Sequence, residues 1–208
     1  MRVVVLGAGG GVGSRAVEAA ARQGHDVVAA ARSAPPVPEG VAAAAVDVRD
    51  ADAVRRVLVG AGAVLWCVGV TKRSGGDVGR AALPHVAAAA QDLGVGRLVS
   101  VSGAGVTLPG DRKGPGARFV SALTRRLAHD LVTDKQGEHG VLEASELSWT
   151  EVRPPRLSDG AATGRWSLVE VAPGLTAKPV TKADVALAML SLAATQDWQR
   201  RSPFLMAG

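Results

Sequence analysis

The sequence has no tyrosine, a single cysteine at position 67, and only 3% aromatic residues. One cysteine cannot form an intramolecular disulfide, and a cysteine-based metal site needs several thiolates. No apolar run reaches the roughly 18 residues that cross a bilayer. A strand that starts at Arg2 would leave no room for a secretory signal. We therefore expect no metal, no membrane partner and a cytoplasmic location.

Charge of one sign is also not concentrated anywhere. The 24 Lys and Arg residues exceed the 19 Asp and Glu residues, which gives a net charge of +5. The basic residues stand singly or in pairs, as at Arg55-Arg56 and Arg200-Arg201, without the interleaved aromatics of a nucleic-acid surface. We expect no nucleic-acid partner and a modest preference for anionic ligands such as a phosphorylated cofactor.

The first half of the chain alternates between two hydrophobic patterns. Short apolar or β-branched runs at 2–6, 26–31, 41–46, 63–68 and 97–102 predict buried strands, and helical spacing at 14–22, 50–59 and 78–93 predicts helices between them. Strict alternation predicts an α/β Rossmann fold, a doubly wound parallel sheet in a three-layer α/β/α arrangement. The length of 208 residues favours a single NAD(P)-binding domain over residues 1–208.

The second half is less regular. A long Gly/Pro/basic segment at 103–116 predicts a lid or a rim. We predict a helix at 117–145, a strand at 147–152, a loop at 156–165 and a strand at 166–171. Thr181 and Asp184 predict a capping box for a helix at 182–194, and 204–206 predicts an edge strand.

A glycine cluster, GAGGGVG, follows the first predicted strand and precedes the first predicted helix. That context is the one a dinucleotide-binding turn requires. Glycines let the backbone approach a pyrophosphate, and the N–H groups at the start of a helix attract phosphate. The alternative is a tight turn without a ligand. The predicted cofactor contacts in this turn are Gly7, Gly9, Gly10, Gly11, Val12 and Gly13.

The end of the second strand indicates which dinucleotide binds. In proteins that bind NAD, an acidic residue near this position holds the ribose hydroxyls, whereas here the residues are Arg32 and Ser33. A guanidinium and a hydroxyl suit a 2′-phosphate, so NADP(H) is the predicted cofactor. The alternative is that Arg32 is an ordinary surface charge. Asp47 and Val48 are predicted beside the adenine, and Val68, Gly69 and Val70 beside the nicotinamide.

These residues resemble a known family. The spacing Gly7-x-x-Gly10-x-x-Gly13, the pair Arg32-Ser33, and the segment HGVLEASELSWTEVRPPRLSDG at 139–160 are similar to atypical short-chain dehydrogenases of the NAD(P)H-binding (NmrA-like) family, biliverdin reductase B / flavin reductase type. The resemblance covers almost the whole chain. It implies NADPH-dependent reduction of a planar or anionic acceptor of flavin, tetrapyrrole or quinone type. It further implies site residues Ser100, Val101, Ser102, Lys135, Pro154, Pro155 and Arg156, of which Ser102, Lys135 and Arg156 would be catalytic.

The chain departs from this template at two positions. Leu131 stands where the broader family has a tyrosine four residues before its lysine, and Arg156 stands where the flavin reductase relatives have a histidine. Arginine is a poor acid but binds carboxylate and phosphate well. We therefore expect the hydride to come from the cofactor and the proton from solvent or Ser102. Two other functions stay open, a redox sensor that binds NADP(H) without turnover and an epimerase or isomerase.

Several residues have two interpretations. Ser102 could instead be a turn serine, Lys135 a solvent-facing lysine, and His139 a surface or packing residue instead of a substrate contact. Cys67 is interpreted as a small hydrophobe within a strand. The family resemblance predicts a monomer, or at most a weak homodimer. Residues that could line the pocket edge, or be merely solvated, are Arg73, Arg112 and Lys113.

Overall fold

In a computed structural model of the chain, residues 1–71 and 74–208 are described. The elements found in these residues are, in chain order, β1 (Arg2–Leu6), α1 (Gly11–Arg22), β2 (Asp26–Ala31), β3 (Ala42–Ala45), α2 (Ala51–Leu58), β4 (Ala63–Trp66), α3 (Val78–Asp92), β5 (Arg97–Val101), α4 (Pro115–Leu127), α5 (His129–Ala144), β6 (Trp149–Val152), β7 (Leu157–Ser158), β8 (Trp166–Val169), β9 (Val180–Thr181), α6 (Lys182–Ala193) and β10 (Phe204–Ala207). The elements predicted before residue 103 are confirmed, with boundaries that differ by a few residues.

The centre of the molecule is a six-stranded parallel sheet with the order β3-β2-β1-β4-β5-β6. Val4 of β1 lies opposite Val28 of β2 on one side and Val64 of β4 on the other. The chain runs outward from β1 to β3, returns to the centre at β4 and then runs outward to β6. This reversal between β1 and β4 confirms the doubly wound topology, and ligands of such sheets bind at the carboxyl ends of the strands there.

Helices cover both faces of the sheet. On one face, Ala16 and Ala20 of α1 and Val185 and Met189 of α6 join the inward side chains of the strands in one apolar core. On the other face, a second core contains residues of α2, α3 and α5 together with the fully buried Trp66 and Trp149. The predicted three-layer α/β/α arrangement is confirmed.

Local signals explain where several elements begin and end. Gly24, at φ +75°, follows the end of α1 in a conformation that favours glycine. The Asp50 carboxylate accepts hydrogen bonds from the backbone of Asp52 and Ala53 and so caps α2. Thr181 caps α6 by accepting from the backbone of Asp184. Each of these boundaries follows from residue type within a few positions.

The predicted single helix at 117–145 is wrong. The chain leaves helical geometry at Ala128, which has φ −136° and ψ 51°, so two helices, α4 and α5, replace one. The buried face of α4, Ala117 and Ser121, packs beside the segment that follows β5, whereas α5 packs against α3. Because α4 and α5 pack against different parts of the molecule, one straight helix could not make both sets of contacts.

The loop predicted at 156–165 contains β7, which pairs in parallel with β9, so that prediction is wrong at Leu157–Ser158. The strand predicted near the carboxyl terminus is confirmed as β10, which pairs antiparallel with β8. The residues just before β10 lie along the outer edge of β6, where Glu151 and Arg153 donate backbone hydrogen bonds to Arg201 and Pro203. In the described parts of the chain, no helix is long and apolar enough to cross a membrane.

Candidate functional site

A cleft of about 670 Å³ lies at the carboxyl ends of β1, β2 and β4, where the strand order reverses. Ligands of doubly wound sheets bind at this position. Its lining includes nine of the residues predicted from the sequence: Gly7, Gly9, Gly10, Arg32, Ser33, Asp47, Val48, Val68 and Gly69. It also includes residues that were not predicted as site residues: Ala31, Val46, Arg49, Cys67, Thr71, Ser74 and Val78.

The glycine turn contains glycines with two different roles. A Cβ on Gly7 would lie 2.6 Å from the Cys67 carbonyl oxygen, and one on Gly13 would lie 2.2 Å from the Gly7 carbonyl oxygen. These two glycines are therefore required by the packing of α1 and β4 against the turn. A Cβ on Gly9 would meet only the Ala31 Cβ, at 3.7 Å, so Gly9 is not required by packing and leaves its backbone open to the cleft.

The start of α1 fits a pyrophosphate. Among the described residues no side chain caps the α1 N-terminus, and no acidic residue lies in its first turn. The first N–H groups of a helix have no acceptor within the helix and carry partial positive charge, which favours a bound anion. This end of α1 also lies beside exposed backbone at Gly9, Gly10 and Gly11. The turn therefore fits a dinucleotide.

Lys182 lies against this turn although it is distant in sequence. A Cβ on Gly11 would lie 2.9 Å from Cδ and 3.3 Å from Nζ of Lys182. The Lys182 ammonium forms an ion pair with Asp159 at 2.7 Å, and the Asp159 side chain is 85% exposed. The ion pair lowers the pKa of Asp159. No local pattern could have placed a cation of α6 next to the glycine turn.

Arg49 lines the cleft beside Asp47. Its guanidinium donates to the Asp77 carboxylate at 2.6 Å and to the Ser74 carbonyl at 3.3 Å, while its backbone N–H donates to Asp47 at 3.0 Å. The hydrogen bond between Arg49 and Asp77 raises the pKa of Arg49 and lowers that of Asp77. Arg32 and Ser33 line the same cleft and are exposed.

The cleft lining also contains Cys67, Val68 and Gly69, which follow β4. Burial raises the pKa of the Cys67 thiol to about 12, against a small opposing effect of the Lys135 charge. Cys67 therefore stays a neutral thiol, which supports its interpretation as a small hydrophobe. Val70 packs against the apolar core instead of lining the cleft.

Lys135 is buried, so the solvent-facing alternative is wrong. Its Nζ lies 2.8 and 2.9 Å from the two carboxylate oxygens of Glu138 and 2.9 Å from the Val68 carbonyl oxygen. Sequence reasoning missed Glu138, whose helical spacing from Lys135 was the only available signal. The pair lies directly behind the cleft wall that Val68 forms.

The hydroxyls of Ser100 and Ser102 are buried and have no hydrogen-bond partner among the described residues. The backbone N–H of Ser102 donates to the Val152 carbonyl at 2.9 Å, which places Ser102 at the carboxyl end of β5 beside β6. Such an edge position is suited to a hydroxyl that contacts a ligand. Val101 shares this strand end and is partly buried.

Arg156 follows the two prolines after β6 and is exposed. Its guanidinium donates to the Ala177 carbonyl at 2.9 Å. Pro154 is buried and accepts a backbone hydrogen bond from Ala104, so the β5 and β6 loops are joined there. Predicted site residues that do not belong to the described lining of the cleft are Gly11, Val12, Gly13, Val70, Ser100, Val101, Ser102, Lys135, Pro154, Pro155 and Arg156.

Of the three basic residues that were considered for the pocket edge, Arg73, Arg112 and Lys113, the two that the structure describes line different cavities. Lys113 is buried, and its ammonium donates to carbonyls of Ala104 and Val106 and to the Ser121 hydroxyl, so the solvated alternative is wrong. Lys113 lines a separate cavity of about 280 Å³ and is not part of the cleft lining. Arg112 lines a second cavity of about 530 Å³. Arg73 lies outside the described residues. The segment predicted as a lid or rim therefore folds around an internal lysine.

His139 lines the same second cavity, which shares no described lining residue with the cleft. Its Nδ1 lies 2.9 Å from the Glu151 carboxylate, which also accepts from the Ser202 hydroxyl at 2.9 Å. Burial lowers the His139 pKa, but the hydrogen bond to Glu151 outweighs it, so the net shift is upward. These contacts favour the packing interpretation of His139.

Comparisons with known proteins agree with this site. Residues 7–196 match a family model described as NAD(P)H-binding. The anaerobillin reductase ChuY of Escherichia coli O157:H7 is 25% identical, with a TM-score of 0.74 over 100% of this chain and 97% of that chain. A comparison with curated proteins finds no match.

Two further solved structures share the fold. A short-chain dehydrogenase/reductase from Veillonella parvula in complex with NADP is 16% identical, with a TM-score of 0.79 over 99% of this chain and 94% of that chain. A protein proposed to be an NADH-flavin reductase from Streptococcus pneumoniae is 21% identical, with a TM-score of 0.77 over the full length of both chains.

Proposed function

The chain belongs to the NAD(P)H-binding family, and on that premise we propose that it is an NADPH-dependent oxidoreductase that reduces a planar or anionic small-molecule acceptor. The observation that carries this proposal is the cleft at the strand-order reversal, which combines an open glycine turn with Arg32 and Ser33 at its outer end. A family member with such a cleft is suited to bind a dinucleotide with a phosphate on its adenosine ribose.

Each part of the cofactor has residues suited to it. The backbone of Gly9 and Gly10 and the Lys182 ammonium would bind the pyrophosphate, and Arg32 and Ser33 the 2′-phosphate. Asp47 and Val48 would flank the adenine, and Val68 and Gly69 the nicotinamide. When bound, NADPH supplies a hydride. The chain itself has to orient the cofactor and deliver the acceptor.

The acceptor class follows from the chemistry at the ends of β5 and β6. Arg156 is exposed there and can bind a carboxylate or a phosphate. The sequence has no tyrosine to protonate a carbonyl oxygen, so solvent or the Ser102 hydroxyl would supply the proton. A planar or anionic conjugated acceptor of flavin, tetrapyrrole or quinone type fits these conditions, and the likeness to an anaerobillin reductase supports a tetrapyrrole.

The first experiment follows NADPH oxidation by the purified protein with FMN, a quinone and a linear tetrapyrrole as separate acceptors. We expect turnover with at least one of them. NADPH binding is measured in parallel by fluorescence, because it separates an enzyme from a second candidate, a redox sensor that binds the cofactor without turnover. Tight NADPH binding with no oxidation by any acceptor would favour the non-catalytic redox sensor. The observation that favours that candidate is Lys135, whose three N–H donors are all used inside the protein.

The assignment of NADPH over NADH is tested by Arg32→Ala. Loss of a charge-assisted bond to the 2′-phosphate costs about 1.5–3 kcal/mol, or roughly 10- to 100-fold in KM. We expect this increase for NADPH and little change for NADH. The matched control is Arg55→Ala, because Arg55 pairs with Asp92 at 2.7 Å on the surface, outside the cleft lining. Equal losses for both cofactors with Arg32→Ala would contradict the assignment.

A further inference from the structure

A buried ion pair lies behind the inner wall of the cleft. Lys135 and Glu138 are one helical turn apart on α5, and their side chains are only 6% and 2% exposed. The lysine ammonium donates to both oxygens of Glu138 and to the Val68 carbonyl. An ammonium has three N–H donors, so every donor of Lys135 is used by the protein itself.

The neighbouring helix α3 is shaped to admit this pair. A Cβ on Gly79 would lie 1.7 Å from a carboxylate oxygen of Glu138, so only glycine leaves the space that Glu138 occupies. Asp134 accepts hydrogen bonds from the backbone N–H groups of Gly79 and Arg80 at 3.0 and 2.9 Å. Three side chains of α5 thus meet the start of α3 and the end of β4 at one buried position.

Lys135 and Glu138 carry opposite charges when Glu138 is ionised, and the buried Asp134 adds a second carboxylate beside them. Burial raises the pKa of Glu138 to about 7, although the Lys135 charge and hydrogen bond oppose the rise, and the nearby carboxylates Asp134 and Glu151 add to it. Lys135 is the only cation among the described residues that contacts Glu138. When Glu138 is ionised, the pair brings no net charge to the Val68 end of the cleft.

We infer that Glu138 is a positioning residue for the nicotinamide end of the cleft, where it holds Lys135 on the Val68 carbonyl and cancels the lysine charge. This inference rests on the proposed function, in which Val68 and Gly69 line the nicotinamide. The oxidised ring is cationic and the reduced ring is neutral, so an unpaired ammonium there disfavours the oxidised cofactor alone. Glu138 thereby sets the relative affinity for the two redox states.

The family resemblance implies a different role, in which Lys135 itself holds the ribose hydroxyls. The ribose is the same in both redox states, so loss of such a contact weakens NADP⁺ and NADPH equally. The ratio of the two dissociation constants therefore separates the roles. A purely structural role for the pair would not change this ratio either.

The test measures Kd for NADP⁺ and NADPH by fluorescence and calorimetry at about pH 8, where Glu138 is ionised, for wild type, Glu138→Gln and the double variant K135M/E138M. In Glu138→Gln we expect NADP⁺ binding to weaken about tenfold relative to NADPH, from one uncompensated charge. In the double variant both charges are gone, so we expect the wild-type ratio of the two dissociation constants. The control is Glu18→Gln, since Arg15 and Glu18 have the same spacing on α1 but are exposed.

An unchanged ratio in Glu138→Gln would overturn the inference and leave the proposed function intact. Failure of the wild-type protein to bind either cofactor would overturn the proposed function, and the inference with it. If Glu138→Gln does not fold, the wild-type Kd ratio at about pH 8 and about pH 5.5 decides the matter, because protonation removes the Glu138 charge. Weaker NADP⁺ binding relative to NADPH at the lower pH would support the inference, and an unchanged ratio would overturn it. A joint loss of both affinities in the double variant would assign Lys135 to the cofactor instead.

Discussion

The residues before Arg97 and those from Arg97 onward have different interiors. Among the described residues before position 97, every fully buried side chain is apolar, whereas twelve buried polar or charged side chains lie from Arg97 to Asp184. The first region carries the glycine turn and the adenine end of the cleft on a scaffold of Val, Leu and Ala. The second region carries Ser102, Lys135 and Arg156, and its interior contains ion pairs such as that of Arg153 with Asp111.

Because of this difference, we expect substitutions in the two regions to have different effects on stability. An apolar core accepts substitutions that preserve volume. A buried charge needs its partner, because removal of one member leaves the other unpaired in a medium of low polarity. The region from Arg97 onward is therefore expected to be the more sensitive of the two to substitution.

The largest expected effect is that of Arg153→Met. The Arg153 guanidinium donates to both oxygens of Asp111 and to the Val106 carbonyl, and it lies 4.2 Å from the centre of the Phe204 ring. Loss of one member of a buried pair costs about 3–5 kcal/mol. Urea unfolding should show that loss. In the first region, Leu65→Met, at a fully buried position, should lower the free energy of unfolding by less than about 1.5 kcal/mol. Equal losses of stability in the two variants would contradict the proposed difference between the two regions.

A smaller loss is expected for Gly79→Ala. The new Cβ would overlap the Glu138 carboxylate, and such overpacking costs about 1–3 kcal/mol. The matched control is Gly140→Ala on α5, where a Cβ would meet no atom within 4 Å. There the higher helix propensity of alanine should raise the free energy of unfolding by about 0.5–1 kcal/mol. Thermal unfolding of both variants checks the prediction, which fails if their effects have the same sign.

The smallest expected effect appears in acid. Burial raises the pKa of Asp111, but hydrogen bonds from Arg153 and the Leu108 backbone outweigh it, so the net pKa lies below the ordinary value of 3.8. The Asp184 pKa is lowered in the same way by Thr181 and by the backbone of Gly164 and Thr163. A depressed pKa gives stability that is present above the unfolded value and lost as pH falls through the folded value.

Hydrogen exchange should be measured as the pH falls from neutral through the pKa values of Asp111 and Asp184. We expect the amides at 106–113 and 163–165 to lose protection first, while the strands β1 to β4 stay protected. Retained protection in both segments, or loss at all sites together, would mean that these carboxylates do not stabilise the second region separately. In the neutral variant Asp184→Asn, the acid-dependent loss of hydrogen-exchange protection should change at 163–165 and stay the same at 106–113.

The sequence predicted the first region well because its signals are local. Strand and helix periods, the Asp50 cap and the glycine turn depend on residues a few positions apart, and they were sufficient for the Rossmann fold and for nine residues that line the cleft. The predicted family membership is likewise confirmed. The second region was predicted less well, since the break at Ala128 and the burial of Lys113 have no local pattern.

The sequence by itself determined the order of strands and helices in the first region, the glycine turn and the basic residue at the end of β2, because hydrophobic period and turn chemistry act over short stretches of chain. Only the tertiary structure decided which charged groups meet. Lys182 reaches the glycine turn, Glu138 takes the space left by Gly79, and Arg153 pairs with Asp111 across 42 positions. Such pairs depend on how whole elements pack, and no spacing within one element encodes them.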